Sequence, residues 1–320
     1  MCWPNLSELT LNITNGDCAV NALKEAGVVG DFLPWRDVLH LGPLLPGELM
    51  GRFEQSRVLF LSQYFGLTSK EVSEKFKSRQ LYLNNLSQYQ TIRLWFEHDL
   101  YDQLQLIQVL AFLSTSCELQ KVRWIVTNQY LGTAHTKDIQ ELFRFDLAVP
   151  EACWCQAPEL WHTLVNESPQ LWGEFNFSLL EDWPFITETF DRLKNEFPDK
   201  YTGLSLTQTL LLKTLTSASM PGMAMFEAYG KQEWAVFLGD AVFEKELAAL
   251  LHAKCPLLFI ETDYGDWGDD VWALTPVGID VLIGKKNHVK LNGIDKWIGG
   301  VHLNENRCWW FNKEKNQLES

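Results

Sequence analysis

Hydrophobic and polar positions change rhythm most sharply across Thr91–Leu113, TIRLWFEHDLYDQLQLIQVLAFL. Thr91–Phe96 is a short apolar run with β-branched and aromatic residues, the composition of a buried strand. From Glu97 the pattern turns helical: Leu100, Leu104, Ile107 and Ala111 recur at i, i+4, i+7 and i+11, one helix face. The same alternation recurs on either side. Leu9–Thr14 reads as a first strand and Cys18–Ala26 as a helix closed by Gly27. Val28–Leu33 is a second short strand, Lys121–Val126 another, and Thr133–Phe145 a further helix. Between them Glu48–Leu86 reads as helical with a break near Gly66, where Thr68 followed by Glu71 is a capping-box pattern. Strands alternating with helices over residues 1–150 predict an α/β fold with a mainly parallel, Rossmann-like sheet.

The rhythm differs beyond that point. Residues 151–203 lack strand-like alternation and carry Trp154, Trp161, Trp172 and Trp183, so they read as a helical connector with packing aromatics. Residues 204–284 give helices at Thr207–Leu215, Met223–Tyr229 and Asp240–Leu251, then strands at Leu257–Ile260 and Val271–Leu274. A last helix follows at Thr275–Ile283, with Pro276 early in it. Three helices followed by a two-stranded wing predict a winged-helix-like domain. Residues 285–320 form a tail expected to dock back, because Gly299 and Gly300 permit close backbone approach.

Charge alters what that second region is for. The chain has 320 residues, 46% apolar and 21% charged, an ordinary globular composition for two or three domains. Asp and Glu outnumber Lys and Arg by 41 to 27, a formal charge of −14 that repels phosphate backbones, so nucleic acid is an unlikely partner. The third helix carries Asp240, Glu244 and Glu246 against Lys245 alone. The wing loop holds Glu261, Asp263, Asp266, Asp269 and Asp270 with no basic residue. These charges predict a protein contact and not a DNA contact. Seven cysteines, at 2, 18, 117, 153, 155, 255 and 308, are odd in number and irregular in spacing, which fits reduced thiols. Cys153 and Cys155 lack the second ligand pair of a zinc site and read as packing. The N-terminal MCWPNLSELT lacks the basic and apolar regions of a signal peptide, and no run reaches the ~18 apolar residues of a membrane span. The expectation is a cytoplasmic protein with no membrane partner.

The candidate chemistry lies where strands hand over to helices. In an open α/β sheet, ligands bind at the carboxyl ends of the strands. Glu97, His98, Asp99 and Asp102 fall within six residues at such a junction. Asp99 as an N-cap accounts for one carboxylate and leaves Glu97 and Asp102 unexplained. Asn15, Gly16 and Asp17 follow the first strand: Gly16 allows a tight turn and Asp17 stands at a helix start, where capping alone would justify it. Neither a GxGxxG fingerprint nor a P-loop is present. The irregular stretch Pro34–Gly47 carries Arg36, Asp37 and His40. Arg36 either clamps a phosphate or carboxylate bidentately or pairs with Asp37 or another carboxylate. Parallel strands end on one side, so these groups are expected to line one pocket. The candidate catalytic residues are Asp17, Asp37, His40, Glu97, His98 and Asp99. The candidate ligand-binding residues are Asn15, Gly16, Arg36, Asp102, Gln103, Asp295 and His302, with Gly299–Gly300 folding back to bring in the last. Crowded carboxylates raise one another's pKa or recruit a divalent cation. Arg36 and a helix N-terminus suit a phosphate, and His40 or His98 suits proton transfer. A GxSxG elbow and a Cys/His nucleophile pair are missing.

Four segments, ITNGD (13–17), PWRDVLH (34–40), WFEHDLYDQLQL (95–106) and LNGIDKWIGGVHL (291–303), together resemble a bacterial family catalogued as domain of unknown function 1835. The resemblance spans nearly the whole chain. It implies no assigned reaction, and treats Asp17, Arg36, Asp37, His40, Glu97, His98, Asp99, Asp102, Gln103, Asp295 and His302 as one set. Family members often carry His where this chain has Asn12. Some bear labels relating them to RNA polymerase sigma factors, which the acidic wing argues against. Three functions follow in order. The first is an enzyme acting on a phosphorylated or nucleotide-like small molecule by metal-assisted phosphoryl transfer or phosphoester hydrolysis. The second is a non-catalytic ligand-sensing or protein-interaction module. The third is a DNA-binding regulator.

Overall fold

The computed structural model describes residues 9–47, 49–174 and 180–320, without the side chains of residues 50, 173 and 174. Cys2, the N-terminal segment read for a signal, Glu48 and residues 175–179 of the tryptophan-rich stretch lie outside the described residues. The chain divides into two compact units, Met1–Thr189 with Gly299–Val301, and Phe190–Ile298 with His302–Ser320.

The first unit opens β1 (Thr10–Thr14), α1 (Asp17–Glu25) and β2 (Asp31–Pro34), followed by α2 (Glu54–Phe65) and α3 (Ser69–Leu83). Then come β3 (Thr91–Glu97), α4 (Leu100–Ser116), β4 (Val122–Thr127), α5 (Thr136–Leu142), β5 (Leu147–Ala148), α6 (Glu151–Val165) and α7 (Gln170–Glu174). The division between units falls within α8 (Ile186–Lys194). The five strands form one sheet in the order β2-β1-β3-β4-β5. The first four are parallel, and β5 runs antiparallel to β4. Every residue of β1 is buried, as is β3 from Ile92 onward, because helices cover both faces of a parallel sheet. That double burial is why these strands read as unbroken apolar runs. α4 is buried nearly all round, from Leu104 and Ile107 to Leu110 and Leu113, and packs against α6. The segment expected to be a connector thus helps enclose the sheet's central helix. The Thr68–Glu71 capping box at the start of α3 is formed in both directions.

β2 lies on one side of β1, and the chain returns through α2 and α3 to place β3 on the other. The winding therefore reverses between β1 and β3. Such a reversal opens a crevice outside the carboxyl ends of the two strands, the usual ligand position in open α/β sheets.

In the second unit, α9 (Leu206–Thr214), β6 (Met220–Pro221), α10 (Gly222–Gly230) and α11 (Asp240–Leu251) precede β7 (Leu258–Thr262) and β8 (Val271–Leu274). The three strands form an antiparallel sheet in the order β6-β8-β7, one strand more than the expected pair. α12 (Pro276–Leu282), α13 (His288–Asn292), β9 (Lys296–Ile298), β10 (Val301–Leu303), β11 (Trp310–Asn312) and β12 (Gln317–Glu319) complete the chain. The loop between β7 and β8 is less uniformly a charged surface than its composition implies. Asp270 is buried, and its Oδ1 accepts the amides of Tyr264 and Gly265 at 2.6 and 3.1 Å. Asp266 accepts the amide of Gly268 at 2.9 Å. These two carboxylates shape the turn.

Gly299 and Gly300 make the close approach expected of them, within the first unit. The Leu44 amide donates to Gly299 O at 3.1 Å, and the Gly300 amide to Leu164 O at 2.8 Å. A Cβ on Gly300 would stand 2.1 Å from Val165 O. Among the described residues, no helix is long and apolar enough to cross a membrane.

Candidate functional site

The crevice between β1 and β3 is framed by two short junctions. After Thr14, Asn15 and Gly16 turn the chain into α1, with Gly16 as an N-cap in extended backbone. After Glu97, His98 and Asp99 turn it into α4, and Asp99 is the N-cap, its Oδ1 accepting the Asp102 amide at 3.1 Å. The capping role of Asp99 is real, and it draws a second carboxylate inward. Asp102 Oδ1 accepts the amide of Glu97 at 2.7 Å, and its Oδ2 accepts Asn15 Nδ2 at 2.7 Å. Glu97 Oε1 accepts the Leu131 amide at 2.9 Å and Asn15 Nδ2 at 3.4 Å. Gln103 Nε2 donates to Glu97 O at 2.6 Å and locks the turn.

Oxygens of Glu97, Asp99 and Asp102 consequently lie within 4.8 Å of one another, on residues only 4, 4 and 0% exposed. Each described hydrogen bond to these carboxylates comes from a neutral amide. Burial therefore dominates their protonation. It pushes Glu97 up to about 8, helped by the charge of Asp99 and opposed by the Leu131 amide. It pushes Asp99 up to about 7, against the amides of Asp102 and Tyr101. Asp102 is raised well above the usual carboxylate range by burial and then by the charges of Asp99 and Glu97. Such a cluster holds a proton near neutrality or exchanges it for a hard cation, for which carboxylate oxygens are the fitting ligands. Two further polar atoms beside it, Thr14 Oγ1 and Gln103 Oε1, are buried without a hydrogen-bond partner among the described residues.

The other candidates have different surroundings. His98 is buried against the rings of Tyr130 and Phe185, at 5.2 and 5.7 Å, and burial lowers its pKa. His40 is buried with its ring edge-on to Tyr101 at 6.0 Å. Asp17 is not the helix cap. It forms a bidentate pair with Arg36, Nε to Oδ2 at 2.8 Å and Nη2 to Oδ1 at 2.6 Å, on the surface of the unit. Arg36 hydrogen bonds hold the Asp17 carboxyl below its ordinary pKa. Arg36 is thus engaged by a carboxylate, but not by its neighbour Asp37. Asp37 belongs to a structural ion pair: both its side chain and that of Arg57 are fully buried, with Arg57 Nε and Nη2 at 3.0 and 2.8 Å from Asp37 Oδ1. That pairing gives Asp37 a structural partner away from Glu97, Asp99 and Asp102. Asp295 and His302 pair with each other at 2.7 Å in the second unit, where the His302 ring stacks flat on Trp297 at 4.3 Å. Asn12 is buried and its Oδ1 accepts the Trp95 indole N–H at 3.1 Å.

The structure therefore brings Asn15, Glu97, Asp99, Asp102 and Gln103 together, and engages Asp17, Arg36, Asp37, Asp295 and His302 elsewhere. The residue that sequence reasoning missed is Leu131, which contributes through its amide. Its loop follows β4 and rests on the start of α1, where a Cβ on Gly132 would meet Cys18 Cβ at 3.2 Å. A backbone donor leaves no mark in a sequence except the strand end that precedes it. Comparison of the chain with protein-family models and with curated proteins finds no match.

Proposed function

We propose that the first unit binds a divalent cation on Glu97, Asp99 and Asp102, and with it acts on a phosphorylated or nucleotide-like small molecule. The reaction class is metal-assisted phosphoryl transfer or phosphoester hydrolysis. One observation carries the reading: three buried carboxylates converge where the sheet reverses its winding, with no cationic side chain hydrogen-bonded to them among the described residues. A protein gains nothing in stability from that crowding unless a proton or a cation offsets it. The N-terminus of α1 opens on the same crevice from β1. Its N-cap Gly16 makes no side-chain cap bond, and a Cβ there would meet nothing within 4 Å, so a phosphate can approach the first amides. Held by Glu97, Asp99 and Asp102, the bound cation would polarise a phosphoryl oxygen and lower the pKa of a bound water. The proposed kinship with family 1835 rests on the same segments, since ITNGD carries Gly16 and WFEHDLYDQLQL carries all three carboxylates.

The test is calorimetric titration with Mn²⁺ and Mg²⁺, followed by thermal shifts with a nucleotide and sugar-phosphate panel in their presence. Saturable cation binding, a ligand shift that needs the cation, and turnover of that ligand support the reading. A protein that binds neither cation at millimolar concentration overturns it. A second reading, ligand sensing without chemistry, is favoured by the low exposure of Glu97 and Asp99, and predicts the ligand shift without turnover.

For the second unit we propose a winged-helix-like module used for protein contact. The order helix, short strand, two helices, two strands supports the architecture. The acidic α11 supports the kind of partner. Six cysteines among the described residues are free, which supports a reducing compartment such as the cytoplasm.

A further inference from the structure

A second cleft in the first unit lies between α2, α3 and the loop that leaves β2. It encloses about 420 Å³, and Trp35, Leu61, Phe65, Val72 and Phe76 form its apolar walls. Volume and lining are those of a small-molecule pocket. Two cationic side chains, Arg36 and Lys75, stand on its border, and a shallower depression of about 410 Å³ continues past the same two residues. The acids of that depression make their close contacts with other groups, although the charge of Lys75 is felt by Glu71. Glu71 is held in the capping box by Thr68, and Glu74 reaches Lys70 at 4.0 Å. Lys75 is exposed and makes no ion pair among the described residues. Among the described residues, Arg36 pairs its guanidinium with the exposed Asp17 only.

The backbone here is strained. Arg36 has φ 56, a left-handed conformation that costs a residue with a side chain roughly 1–3 kcal/mol. β1 enforces it: the Trp35 amide donates to Thr14 O at 2.8 Å and the Arg36 amide to Asn15 O at 3.0 Å. Consecutive residues then take opposite roles. Trp35 is buried and fixed, its indole N–H on Gln108 Oε1 at 2.7 Å, while Arg36 stays half-exposed at the rim. A rigid aromatic wall beside a cation on a strained turn is a pre-organised arrangement for an anion with an apolar body.

We infer that this cleft binds a small molecule with a ring-sized apolar body and one anionic group, the body against Trp35 and Phe76 and the anion between Arg36 and Lys75. Its lining includes none of the three carboxylates, and it needs no metal.

Isothermal titration of the full chain in EDTA tests it, with 1-naphthoate and 1-naphthyl phosphate as anionic probes and 1-naphthamide as the neutral one. EDTA keeps the outcome independent of the cation reading. The expected result is one-to-one binding of at least one anion, about tenfold tighter than the amide. Lys75→Glu, on an exposed position, should weaken anion binding about tenfold or more and leave amide binding and the melting temperature unchanged. Val72→Phe, which fills the cleft, should abolish binding of all three probes. If neither anion binds saturably, if the amide binds as tightly, or if Lys75→Glu has no effect, the inference is overturned. Preference between the two anions distinguishes a carboxylate ligand from a phosphate ligand.

Discussion

Asn15 and Asp102 stand 87 positions apart in the chain and meet at 2.7 Å, Nδ2 donating to Oδ2. The same amide group reaches Glu97 Oε1 at 3.4 Å. One neutral side chain from the end of β1 thus ties together two carboxylates of the β3–α4 junction. It satisfies their lone pairs without supplying charge, and so leaves their mutual repulsion to be answered by a proton or a cation.

Glu97→Gln should separate these two answers. The glutamine carbonyl can still accept from Leu131 and Asn15, while the carboxyl that ionises near pH 8 leaves the cluster. In EDTA the variant should melt at the wild-type temperature or up to ~4 °C above it, as expected for a gain of about 1 kcal/mol. It should also lose Mn²⁺ binding in calorimetry. A marked drop in melting temperature would instead identify a satisfied structural pair.

The pH dependence carries a definite sign. Burial raises the folded pKa of Glu97 to about 8 and of Asp99 to about 7, above their unfolded values. The folded state therefore binds more protons than the unfolded state between the two ranges. The stability contributed by these protons is complete below about pH 4 and is lost as pH rises through 7 and 8. Urea midpoints of the metal-free chain should fall from pH 5 to pH 9. Glu97→Gln or saturating Mn²⁺ should flatten that slope, and a rising or flat wild-type profile would contradict it.

Arg57→Met should cost about 3–5 kcal/mol, because it strands the fully buried Asp37 carboxylate. It also removes donors to Leu41 O and Val38 O. Asp37→Asn with Arg57→Met together should cost less than Arg57→Met alone, since no buried charge then lacks a partner. Denaturant titration of the two variants beside the wild-type chain checks the order.

Gly300→Ala should destabilise the first unit by more than ~2 kcal/mol, since the new methyl meets the Val165 carbonyl, which is backbone and cannot step aside. Hydrogen exchange at the Leu44 amide, bonded to Gly299 O, should rise with it.

Sequence patterning located the parts of this molecule whose physics is local. β1, β3 and β4 stand out because both faces of a parallel strand are buried, whereas the two exposed residues of β5 carry no such signal. The expected second strand shifted from Val28–Leu33 to Asp31–Pro34 because its pairing partner, β1, sets the register. Glu97, Asp99 and Asp102 could be found because a single junction holds them. Asp37 looks equally chemical in sequence. What separates the two cases is Arg57, 20 positions away on α2, and no local rule joins them. Asp17 and Arg36 find each other across 19 positions by the same non-local route. Asp270 counts as surface charge until the amides of Tyr264 and Gly265 are seen converging on it.

Gly299–Val301, a three-residue piece of the late chain, belongs to the first unit and takes hydrogen bonds from Leu44 and gives one to Leu164. This sets the order of events on the ribosome. A chain emerging at ~5–20 residues per second leaves the Leu44 amide and the Leu164 carbonyl waiting on the order of ten seconds for these partners. During that interval the Leu44 N–H and the Leu164 C=O lack the partners they have in the complete fold. Release of a polypeptide truncated before residue 299 would leave that vigil permanent, so premature termination late in translation should feed proteolysis and not a functional N-terminal fragment.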